Sequence, residues 1–489
     1  MTEKINFSRR EFLRRGSLLS VAGSLSAPFA LNLFSMNVAA ASTFTSDYKA
    51  IVCLYFGGGN DSANMVLATD TPSWSGYQAA RSIGGAASIA LPMGSLLPIT
   101  PNTPHVDAVG SRSFSLHPNL TQLKSLFDAG RAAVIANVGT LVEPIADKVA
   151  YRSNAIQKPD NLFSHSDQTT QWHSTDPAKP IYGWGGRMGD VLKASNSKQN
   201  FTSISSSGNS VFLAGETINQ YQINANGAAV PIGGMTNLFG INAANNPLHA
   251  VITNTAASNF IEREHAAVVE RSIAAQTDLN NVMLATATSV ASPTQYLNPN
   301  NNQLANNSLA TQLKTVARII EGQVTLGAHR QVFFVSIGGF DTHDNQLANQ
   351  ADLMARIAHA VSYFDGVLAT LPVGDMSNKV TLFTASDFGR TFTSNGDGTD
   401  HGWGAHHFVV GGAVKGKDIY GSFPQSAVTN TSAGIDNPLD VGSGSLIPTI
   451  SVDQYAGTLA KWFGLSTAEI ATVFPNLAKF STQDLGFMA

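Results

Sequence analysis

Short, nearly continuous apolar runs recur along the chain, and each is followed by a polar or glycine-rich break. The clearest run is residues 49–56, which read Lys-Ala-Ile-Val-Cys-Leu-Tyr-Phe. Such runs are typical of strands that are buried on both faces within a parallel sheet. The pattern predicts strands at residues 49–56, 132–138, 331–337, 379–384 and 408–410.

Segments with helical periodicity lie between these runs. Residues 119–129, 308–326 and 351–371 carry apolar side chains at the spacing of one helix face. Strands that alternate with helices are characteristic of a parallel sheet with helices packed on both faces. We therefore expect an α/β fold, with a mostly parallel sheet sandwiched by helices.

The middle of the chain has a different composition. Residues 197–256 are rich in Ser, Asn, Gly and Ala, which predicts an insertion or cap with some β structure. A long helix is predicted over residues 257–287, and residues 298–307 are predicted to be an Asn-rich linker. These segments interrupt what we otherwise expect to be one α/β domain over residues 42–489.

The N-terminal segment has the features of an export signal. Residues 8–13 read Ser-Arg-Arg-Glu-Phe-Leu, a twin-arginine motif, and a largely apolar stretch over residues 18–41 ends in three alanines. An amphipathic helix or an uncleaved anchor would explain the same stretch, but the paired arginines favour export. We expect a signal peptide over residues 1–41, passage through the twin-arginine translocase, and a periplasmic or secreted location.

Charge and composition argue against several classes of partner. The chain has a net charge of −4, and because residues 1–41 carry +3, the remainder carries −7. A mildly acidic surface argues against nucleic acid and anionic lipid as partners. No apolar run after residue 41 is long and uninterrupted enough to cross a bilayer, so we expect no stable membrane span after cleavage.

Acidic residues follow three of the predicted strands. Asp61 follows the first strand, Asp341 and His343 follow the third, and Asp387 follows the fourth. In open parallel α/β sheets, ligands bind at the carboxyl ends of the strands. We therefore expect these four side chains to meet at one rim of the sheet.

A histidine-rich loop supplies further candidate ligands. Residues 395–407 read Asn-Gly-Asp-Gly-Thr-Asp-His-Gly-Trp-Gly-Ala-His-His and contain His401, His406 and His407. Glycine frees the backbone to bring imidazoles and carboxylates together, and these groups bind zinc, manganese and related cations. Together with the four residues at the strand ends, they predict a site for one or two divalent metal ions, with zinc, manganese or calcium as candidates.

Each candidate ligand also has a structural interpretation. Asp61 and Asp387 could cap helices, Asp387 could pair with Arg390, and Asp341 with His343 could form an Asx turn. The loop at residues 395–407 could be a polar surface loop. The joint occurrence of these residues after strands favours the metal site over the separate explanations.

A polar cluster at residues 161–168 supplies a candidate nucleophile. Ser166 lies beside His165, and a metal ion or a nearby base could activate its hydroxyl. A structured substrate loop is the alternative interpretation of this cluster. Arg187 or Arg390 could hold an anionic ester, because guanidinium matches the oxygens of phosphate and sulfate.

The chain resembles the domain-of-unknown-function 1501 family of twin-arginine-exported bacterial proteins. The resemblance covers nearly all of residues 42–489 and rests on motifs at residues 57–61, 116–118, 163–168 with Trp172, 338–346, 386–391 and 398–412. That family resembles in turn the alkaline phosphatase-like superfamily, whose members are metal-dependent phospho- and sulfo-hydrolases and phosphomutases. The resemblance therefore implies an alkaline phosphatase-like fold.

These observations together predict an exported, metal-dependent hydrolase that acts on a small anionic ester of phosphoric or sulfuric acid. The alternative is a non-catalytic cell-surface or assembly protein that keeps the fold. No dinucleotide cofactor is expected, because Gly57-Gly58-Gly59 lacks the continuation of the dinucleotide-binding fingerprint.

Overall fold

The apolar runs form the centre of a large sheet. The computed structural model describes residues 47–489 except 83–87, 108–109, 228–233, 235–236, 243–245 and 257–258. The predicted signal peptide, residues 1–41, lies outside the described residues. The described residues group into one compact unit.

Within the described residues, nine strands make up the main sheet. In chain order they are β1 (Lys49–Gly57), β2 (Ala132–Gly139), β3 (Ser203–Ser205), β4 (Tyr221–Gln222), β5 (Arg330–Gly338), β6 (Val380–Ser386), β7 (Ala405–Val410), β8 (Ile419–Tyr420) and β9 (Ile450–Ser451). Their order across the sheet is β8-β2-β7-β6-β1-β5-β3-β4, and β9 also pairs with β2.

In the part of the chain that the structure describes, the sheet is parallel apart from one strand. β1 pairs in parallel with β5 and β6, and the pairs β5–β3, β3–β4, β2–β8 and β2–β9 are also parallel. β7 lies between β6 and β2 and is antiparallel to both. The predicted α/β class with a mostly parallel sheet is confirmed. The strand predicted at residues 408–410 is β7, which begins earlier, at Ala405.

The described helices are α1 (Thr71–Arg81), α2 (Thr121–Asp128), α3 (Lys148–Arg152), α4 (His165–Ser174), α5 (Trp184–Leu192), α6 (Leu248–Ile252), α7 (Phe260–Ala285), α8 (Ser308–Glu321), α9 (Gln346–Leu368), α10 (Val452–Phe463) and α11 (Thr467–Val473). Helices α2, α7, α8 and α9 contribute to the core on one face of the sheet, and α4, α5, α10 and α11 contribute to the core on the other. No described helix is both long enough and apolar enough to cross a membrane.

Side chains of β1 alternate between these two cores. Val52 and Leu54 pack in the core that includes α8 and α9, whereas Ile51 and Cys53 pack in the core that includes α5 and α10. Successive residues of a strand point to opposite faces, so a strand covered on both faces must be apolar throughout. This requirement explains the continuous apolar run of residues 49–56.

Smaller elements complete the fold. A three-stranded antiparallel sheet is formed by Val66–Ala68, Leu97–Ile99 and Phe114–Leu116. Antiparallel pairs are formed by Val106–Asp107 with Gly110–Ser111, Asn237–Leu238 with Ile241–Asn242, Tyr296–Asn298 with Gln303–Ala305, and Arg390–Ser394 with Thr399–His401.

One segment differs in detail from the sequence prediction, and another contains the β structure expected of it. The Asn-rich residues 298–307, expected to be a linker, include most of the hairpin formed by Tyr296–Asn298 and Gln303–Ala305. Residues 197–256, predicted to be an insertion or cap, contain β3 and β4, which extend one edge of the main sheet.

Candidate metal centre

The carboxyl ends of β1, β5 and β6 lie side by side, because β1 stays in register with both neighbours to its last residues. The loops that follow these strands therefore start at one rim. Gly58 has a φ of 117°, and a Cβ at this position would lie 2.4 Å from the backbone nitrogen of Asp341. The loop after β1 can approach the loop after β5 this closely only because residue 58 is glycine.

Five side chains from four parts of the chain gather at this rim. Asp341 and His343 follow β5, Asp387 follows β6, His165 is the first residue of α4, and His401 ends the strand Thr399–His401. We call His165, Asp341, His343, Asp387 and His401 the rim cluster. The sequence predicted Asp341, His343, Asp387 and His401 as metal ligands, and the structure brings them together with His165, which was predicted to be catalytic.

Hydrogen bonds fix the orientation of the three imidazoles. The Nδ1 atom of His165 lies 2.6 Å from a carboxylate oxygen of Asp387, and that of His343 lies 3.2 Å from a carboxylate oxygen of Asp400. The Nδ1 atom of His401 lies 2.7 Å from a main-chain carbonyl oxygen. Carboxylate and carbonyl oxygens accept hydrogen bonds, so each Nδ1 donates. In the neutral ring the Nε2 atom then carries a lone pair.

The three Nε2 atoms converge on the carboxylate of Asp341. The Nε2 atom of His343 lies 3.0 Å from that of His401 and 3.0 Å from Oδ1 of Asp341. The Nε2 atom of His401 lies 3.4 Å from the same oxygen, and that of His165 lies 3.6 Å from Oδ2. Ligands bound tetrahedrally to one zinc ion at roughly 2.0–2.1 Å lie about 3.3 Å apart. The ligand atoms of His165, Asp341 and His401 all lie within 4.8 Å of one another and can hold one cation, and the Nε2 atom of His343 lies beside His401 and Asp341.

The protonation states of Asp341 and His401 also suit a metal ion. Burial raises the pKa of Asp341, but the hydrogen bond and charge of Arg390, together with the two nearby histidines, bring it below its ordinary value. Burial, assisted by the charges of His165 and Arg390, lowers the pKa of His401. At neutral pH these two groups are therefore a carboxylate and a neutral imidazole, the forms that bind metals.

Arg390 has a different role from the one that the sequence suggested. Its Nη1 atom donates to Asp341 at 2.9 Å and to the carbonyl oxygen of Gly58 at 3.0 Å. Its Nε and Nη2 atoms donate to Thr399. The buried guanidinium thus holds Asp341 and the loop after β1 in place, instead of facing a substrate. Arg187 is likewise engaged inside the protein, where it donates to carbonyl oxygens.

Within the rim cluster, Asp387 positions His165 through a hydrogen bond. Its Oδ2 atom faces Nδ1 of His165, while its Oδ1 atom accepts hydrogen bonds from the hydroxyl of Tyr55 at 2.6 Å and the backbone nitrogen of Gly58 at 3.2 Å. The carboxylate is buried, and its oxygens are engaged by these donors. Asp387 therefore orients His165, a role that the sequence analysis had not separated from direct metal binding.

Asp61 is not part of the rim cluster. Its buried carboxylate forms a salt bridge with the equally buried Arg81 at the end of α1 and accepts a hydrogen bond from the amide of Gln346. The preceding glycines, Gly58 and Gly59, have positive φ values of 117° and 82°. The expected ligand is instead the partner of a buried arginine.

His406 and His407 are also placed apart from the cluster. Both belong to β7, which begins at Ala405 and therefore includes them in the buried sheet. Their exposed fractions are 5% for His406 and 0% for His407. The ring of His406 stacks on Phe423 at a centroid distance of 4.3 Å, and His407 packs between Trp172 and Tyr455. Because neighbouring residues of a strand point to opposite faces, these two imidazoles cannot serve one rim site together.

Ser166 does not pair with His165. Its hydroxyl lies 3.3 Å from that of Ser164 and 3.5 Å from a carboxylate oxygen of Asp167, on the exposed side of α4. The imidazole of His165 points instead towards Asp387 and Asp341. Because the two side chains point in different directions, Ser166 and His165 do not form the predicted pair of nucleophile and base.

Three residues of the site were missed by the sequence analysis. Asp400 holds His343, the hydroxyl of Tyr55 holds Asp387, and the ring of Phe388 lies against His165 and His401 at centroid distances of 4.8 and 4.7 Å. Asp400 directly precedes His401 in the histidine-rich loop, so its place in the sequence was an available signal. Tyr55 lies inside an apolar strand, where no pattern marks its hydroxyl as part of the site.

The rim cluster is reachable from solvent. The exposed fractions of the side chains are 36% for His165, 48% for Asp341, 44% for His343 and 26% for His401. Structural zinc sites are typically closed by the protein, whereas catalytic sites stay open to substrate. The exposure of this cluster is therefore compatible with chemistry on a bound molecule.

A family model described as "Protein of unknown function (DUF1501)" matches residues 48–467. The chain belongs to this family. The resemblance found in the sequence motifs is thereby confirmed, and it covers nearly the whole α/β sheet. A search of curated proteins finds no match.

Solved structures offer more distant similarities to this DUF1501 protein. The C-terminal periplasmic domain of EcEptC from Escherichia coli, in complex with Zn, has 10% identity and a TM-score of 0.33, with 87% of this chain and 85% of that chain covered. The lipoteichoic acid synthase LtaP from Listeria monocytogenes has 8% identity and a TM-score of 0.34, with 93% and 80% covered. The PsFucS1 sulfatase from Pseudoalteromonas sp. has 10% identity and a TM-score of 0.32, with 95% and 78% covered. Because these TM-scores are low, the function proposed below rests on the side chains of the rim cluster.

Proposed function

We propose that this DUF1501 protein is a metal-dependent hydrolase of phosphate or sulfate esters that works after export by the twin-arginine pathway. One observation carries the proposal: three Nε2 atoms and one carboxylate face each other, while every Nδ1 atom is held by an acceptor. This second contact is the usual support of a metal-binding histidine. Three imidazoles with one carboxylate favour zinc over manganese and calcium, which prefer oxygen ligands.

In this proposal His165, Asp341, His343 and His401 hold the ion. Asp387, Asp400 and the carbonyl oxygen of Phe163 keep the three imidazoles in their ligand orientation. When bound, the ion supplies a Lewis acid that polarises a phosphoryl or sulfuryl oxygen of a small anionic ester. The chain itself fixes the ligands before the ester arrives and keeps them open to solvent.

A second candidate function is that of a non-catalytic exported protein with a structural metal. It is favoured by the position of the two arginines, because Arg187 and Arg390 both donate to acceptors within the protein. It is also favoured by Ser166, whose hydroxyl is not paired with the nearby imidazole. The two candidates share the metal site and differ in turnover.

Metal analysis of protein isolated after native export tests the site. We expect about one zinc ion per chain, and substantially less in His401→Ala and Asp341→Ala. His249→Ala, which alters an exposed histidine on α6, is the matched control and should keep its metal. Wild-type protein that carries no metal after export, and binds none on addition of zinc, would overturn both candidates.

Turnover separates the two candidates. The hydrolase proposal predicts release of nitrophenol from at least one of 4-nitrophenyl phosphate, bis(4-nitrophenyl) phosphate and 4-nitrophenyl sulfate. The turnover should be lost on chelation and in His401→Ala, and retained in His249→Ala. A zinc-loaded protein that turns over none of a wider ester panel would favour the non-catalytic candidate.

A further inference from the structure

The carbonyl group that orients His401 belongs to a residue with an unusual backbone conformation. Phe163 has a φ of 72°, in the left-handed region that bulky residues rarely adopt. Its carbonyl oxygen lies 2.7 Å from the Nδ1 atom of His401, which is 238 positions further along the chain. Because φ and ψ set the direction of the carbonyl group relative to the preceding peptide, this conformation decides where the acceptor for His401 lies.

Gln168 holds the preceding peptide of the same residue. The backbone nitrogen of Phe163 donates to the Oε1 atom of Gln168, whose side chain reaches back from α4 to the loop before that helix. Gln168 is only 1% exposed. A backbone N–H needs an acceptor, so this contact also fixes which end of the amide faces Phe163. Gln168, Phe163 and His401 are therefore joined by two consecutive hydrogen bonds.

The amide of Gln168 is engaged at one end only. Its Nε2 atom is buried and has no hydrogen-bond partner within the described residues. A buried polar group without a partner costs free energy, whereas a leucine or methionine would fill the same space without that cost. The contact that explains a glutamine at this position is therefore the acceptor that its Oε1 atom provides to Phe163.

Apolar packing holds the loop of Phe163 close to the segment that carries His401. The side chains of Leu162 and Phe163 pack against a small buried cluster that includes Trp403 and Ile447. Trp403 follows His401 by two positions. Hydrophobic contacts are not directional, so this packing brings the two segments together without choosing the direction of a carbonyl group. That direction is left to the hydrogen bond from Phe163 to Gln168.

We propose that Gln168 is a positioning residue that sets the tautomer of His401 through the main chain of Phe163. With the carbonyl oxygen in place, Nδ1 of His401 keeps its proton and Nε2 keeps the lone pair that faces Asp341. Without the acceptor on Gln168, the left-handed conformation of Phe163 loses its support and the carbonyl turns away. The imidazole then loses its Nδ1 proton to solvent and gains one at Nε2, where it opposes metal binding. The effect on zinc rests on the proposed metal centre, but the effect on the tautomer does not.

The tautomer of His401 in the metal-free exported protein tests the proposal. Nitrogen NMR of protein with isotope-labelled histidine distinguishes a protonated from an unprotonated ring nitrogen, and His401→Gln assigns the signals. The measurement is made at about pH 8, above the ordinary histidine pKa of about 6.5. We expect the proton on Nδ1 in the wild type and mainly on Nε2 in Gln168→Met, which fills the buried space but offers only a weak acceptor. A wild-type tautomer in Gln168→Met, or an Nε2 proton in the wild type, would overturn the proposal.

Zinc affinity, measured by competition with a chelator, should fall about 10–100-fold in Gln168→Met, the usual effect of losing the outer support of a metal-binding histidine. Gln168→Glu keeps an acceptor oxygen and should keep the wild-type tautomer; if it behaves like Gln168→Met, the proposal fails. Gln171→Leu is the matched control, because Gln171 also lies on α4 and donates to the carbonyl oxygen of Asp160 in the same loop. It should bind zinc as the wild type does. Equal losses in Gln168→Met and Gln171→Leu would show that the whole loop is responsible and would overturn the role of Gln168.

Phe163→Ile carries the comparison if Gln168→Met does not fold. It keeps an apolar side chain beside Trp403 but disfavours the left-handed backbone, since β-branched residues rarely adopt it. The tautomer of His401 should change as in Gln168→Met, and a wild-type tautomer would overturn the proposal. A protein that binds no zinc but shows the expected change of tautomer contradicts the proposed hydrolase and leaves the role of Gln168 intact. Normal zinc binding with an unchanged tautomer in the variants contradicts the role of Gln168 alone.

Discussion

In the proposed metal site, Asp387 is placed to orient a ligand without binding the ion itself. It accepts a hydrogen bond from Nδ1 of His165 and is itself held by Tyr55 and Gly58. Loss of such a supporting partner typically lowers metal affinity about 10–100-fold. We therefore expect Asp387→Asn to weaken zinc binding by about that factor, measured by competition with a chromogenic chelator.

Tyr55→Phe is the matched control for this prediction. It removes one donor to Asp387 but leaves the carboxylate beside His165, so its effect on zinc affinity should be smaller. If Asp387→Asn instead abolishes zinc binding altogether, as Asp341→Ala is expected to do, Asp387 is a direct ligand, which is the role that the sequence analysis gave it.

At the scale of elements, a buried ion pair joins α1 to the loop after β1. Arg81 and Asp61 are almost fully buried, and Arg81 also donates to the carbonyl oxygens of residues 391 and 392 in the hairpin that carries His401. Removing one partner of a buried pair leaves an uncompensated charge and costs about 3–5 kcal/mol. Arg81→Met should lower the free energy of unfolding by this amount, measured by urea denaturation.

The double variant Asp61→Asn with Arg81→Met also removes the carboxylate charge that Arg81→Met leaves unpaired. It should recover part of the lost free energy of unfolding. Zinc content at low temperature should be unchanged in the double variant, because Asp61 does not contact the rim cluster. A double variant that is stable but lacks zinc would return Asp61 to the list of ligands, in agreement with the sequence prediction and against the structural assignment.

The sheet and part of its rim could be predicted because they follow from local patterns. The apolar runs at residues 49–56 and 331–337 match β1 and β5 to within a residue, since burial on both faces leaves little choice of side chain. The rule that parallel strands end at one edge then placed Asp341, His343 and Asp387 near each other. Neither step needed knowledge of distant contacts.

The remaining assignments depend on contacts between residues far apart in the sequence. His165 and Asp387 are separated by 222 positions, so the sequence could not show that His165 is oriented by this carboxylate instead of activating Ser166. His406 and His407 look like ligands in a glycine-rich loop until the start of β7 is known. Buried neutral histidines and metal-binding histidines share the same residue type, and only the three-dimensional environment separates them.

At the scale of the whole molecule, the export route remains a prediction with a direct test. Arg9→Lys with Arg10→Lys conserves the charge of the N-terminal segment but removes the planar guanidinium groups. We expect the double variant to stay in the cytoplasm as full-length precursor, measured by cell fractionation and immunoblotting. Lys4→Arg leaves the arginine pair intact and should be exported normally. Wild-type processing of the double-lysine variant would contradict the twin-arginine route.

Four buried histidines give the whole fold a defined response to acid. Burial lowers the pKa of His117 to about 4 and that of His173, His406 and His407 to about 3. In the unfolded chain a histidine titrates near 6.5, so below that pH the unfolded state binds protons that the native state excludes. The contribution of these histidines to the free energy of unfolding should be fully present above about pH 6.5. It should fall as the pH drops towards their pKa values in the native state.

The free energy of unfolding can fall by about 1.4 kcal/mol per pH unit for each of these histidines. Asp453 acts in the opposite direction, because its pKa is raised to about 7 and its contribution is therefore lost as the pH rises. Four histidines outweigh this one carboxylate, so urea denaturation of the metal-free protein should show a steep loss of stability from pH 7 to pH 5. The control His249→Ala, at an exposed position, should follow the wild-type profile. A stability that stays constant across this range would show that these imidazoles are protonated as readily in the native state as in the unfolded chain, which is incompatible with their burial in the two cores.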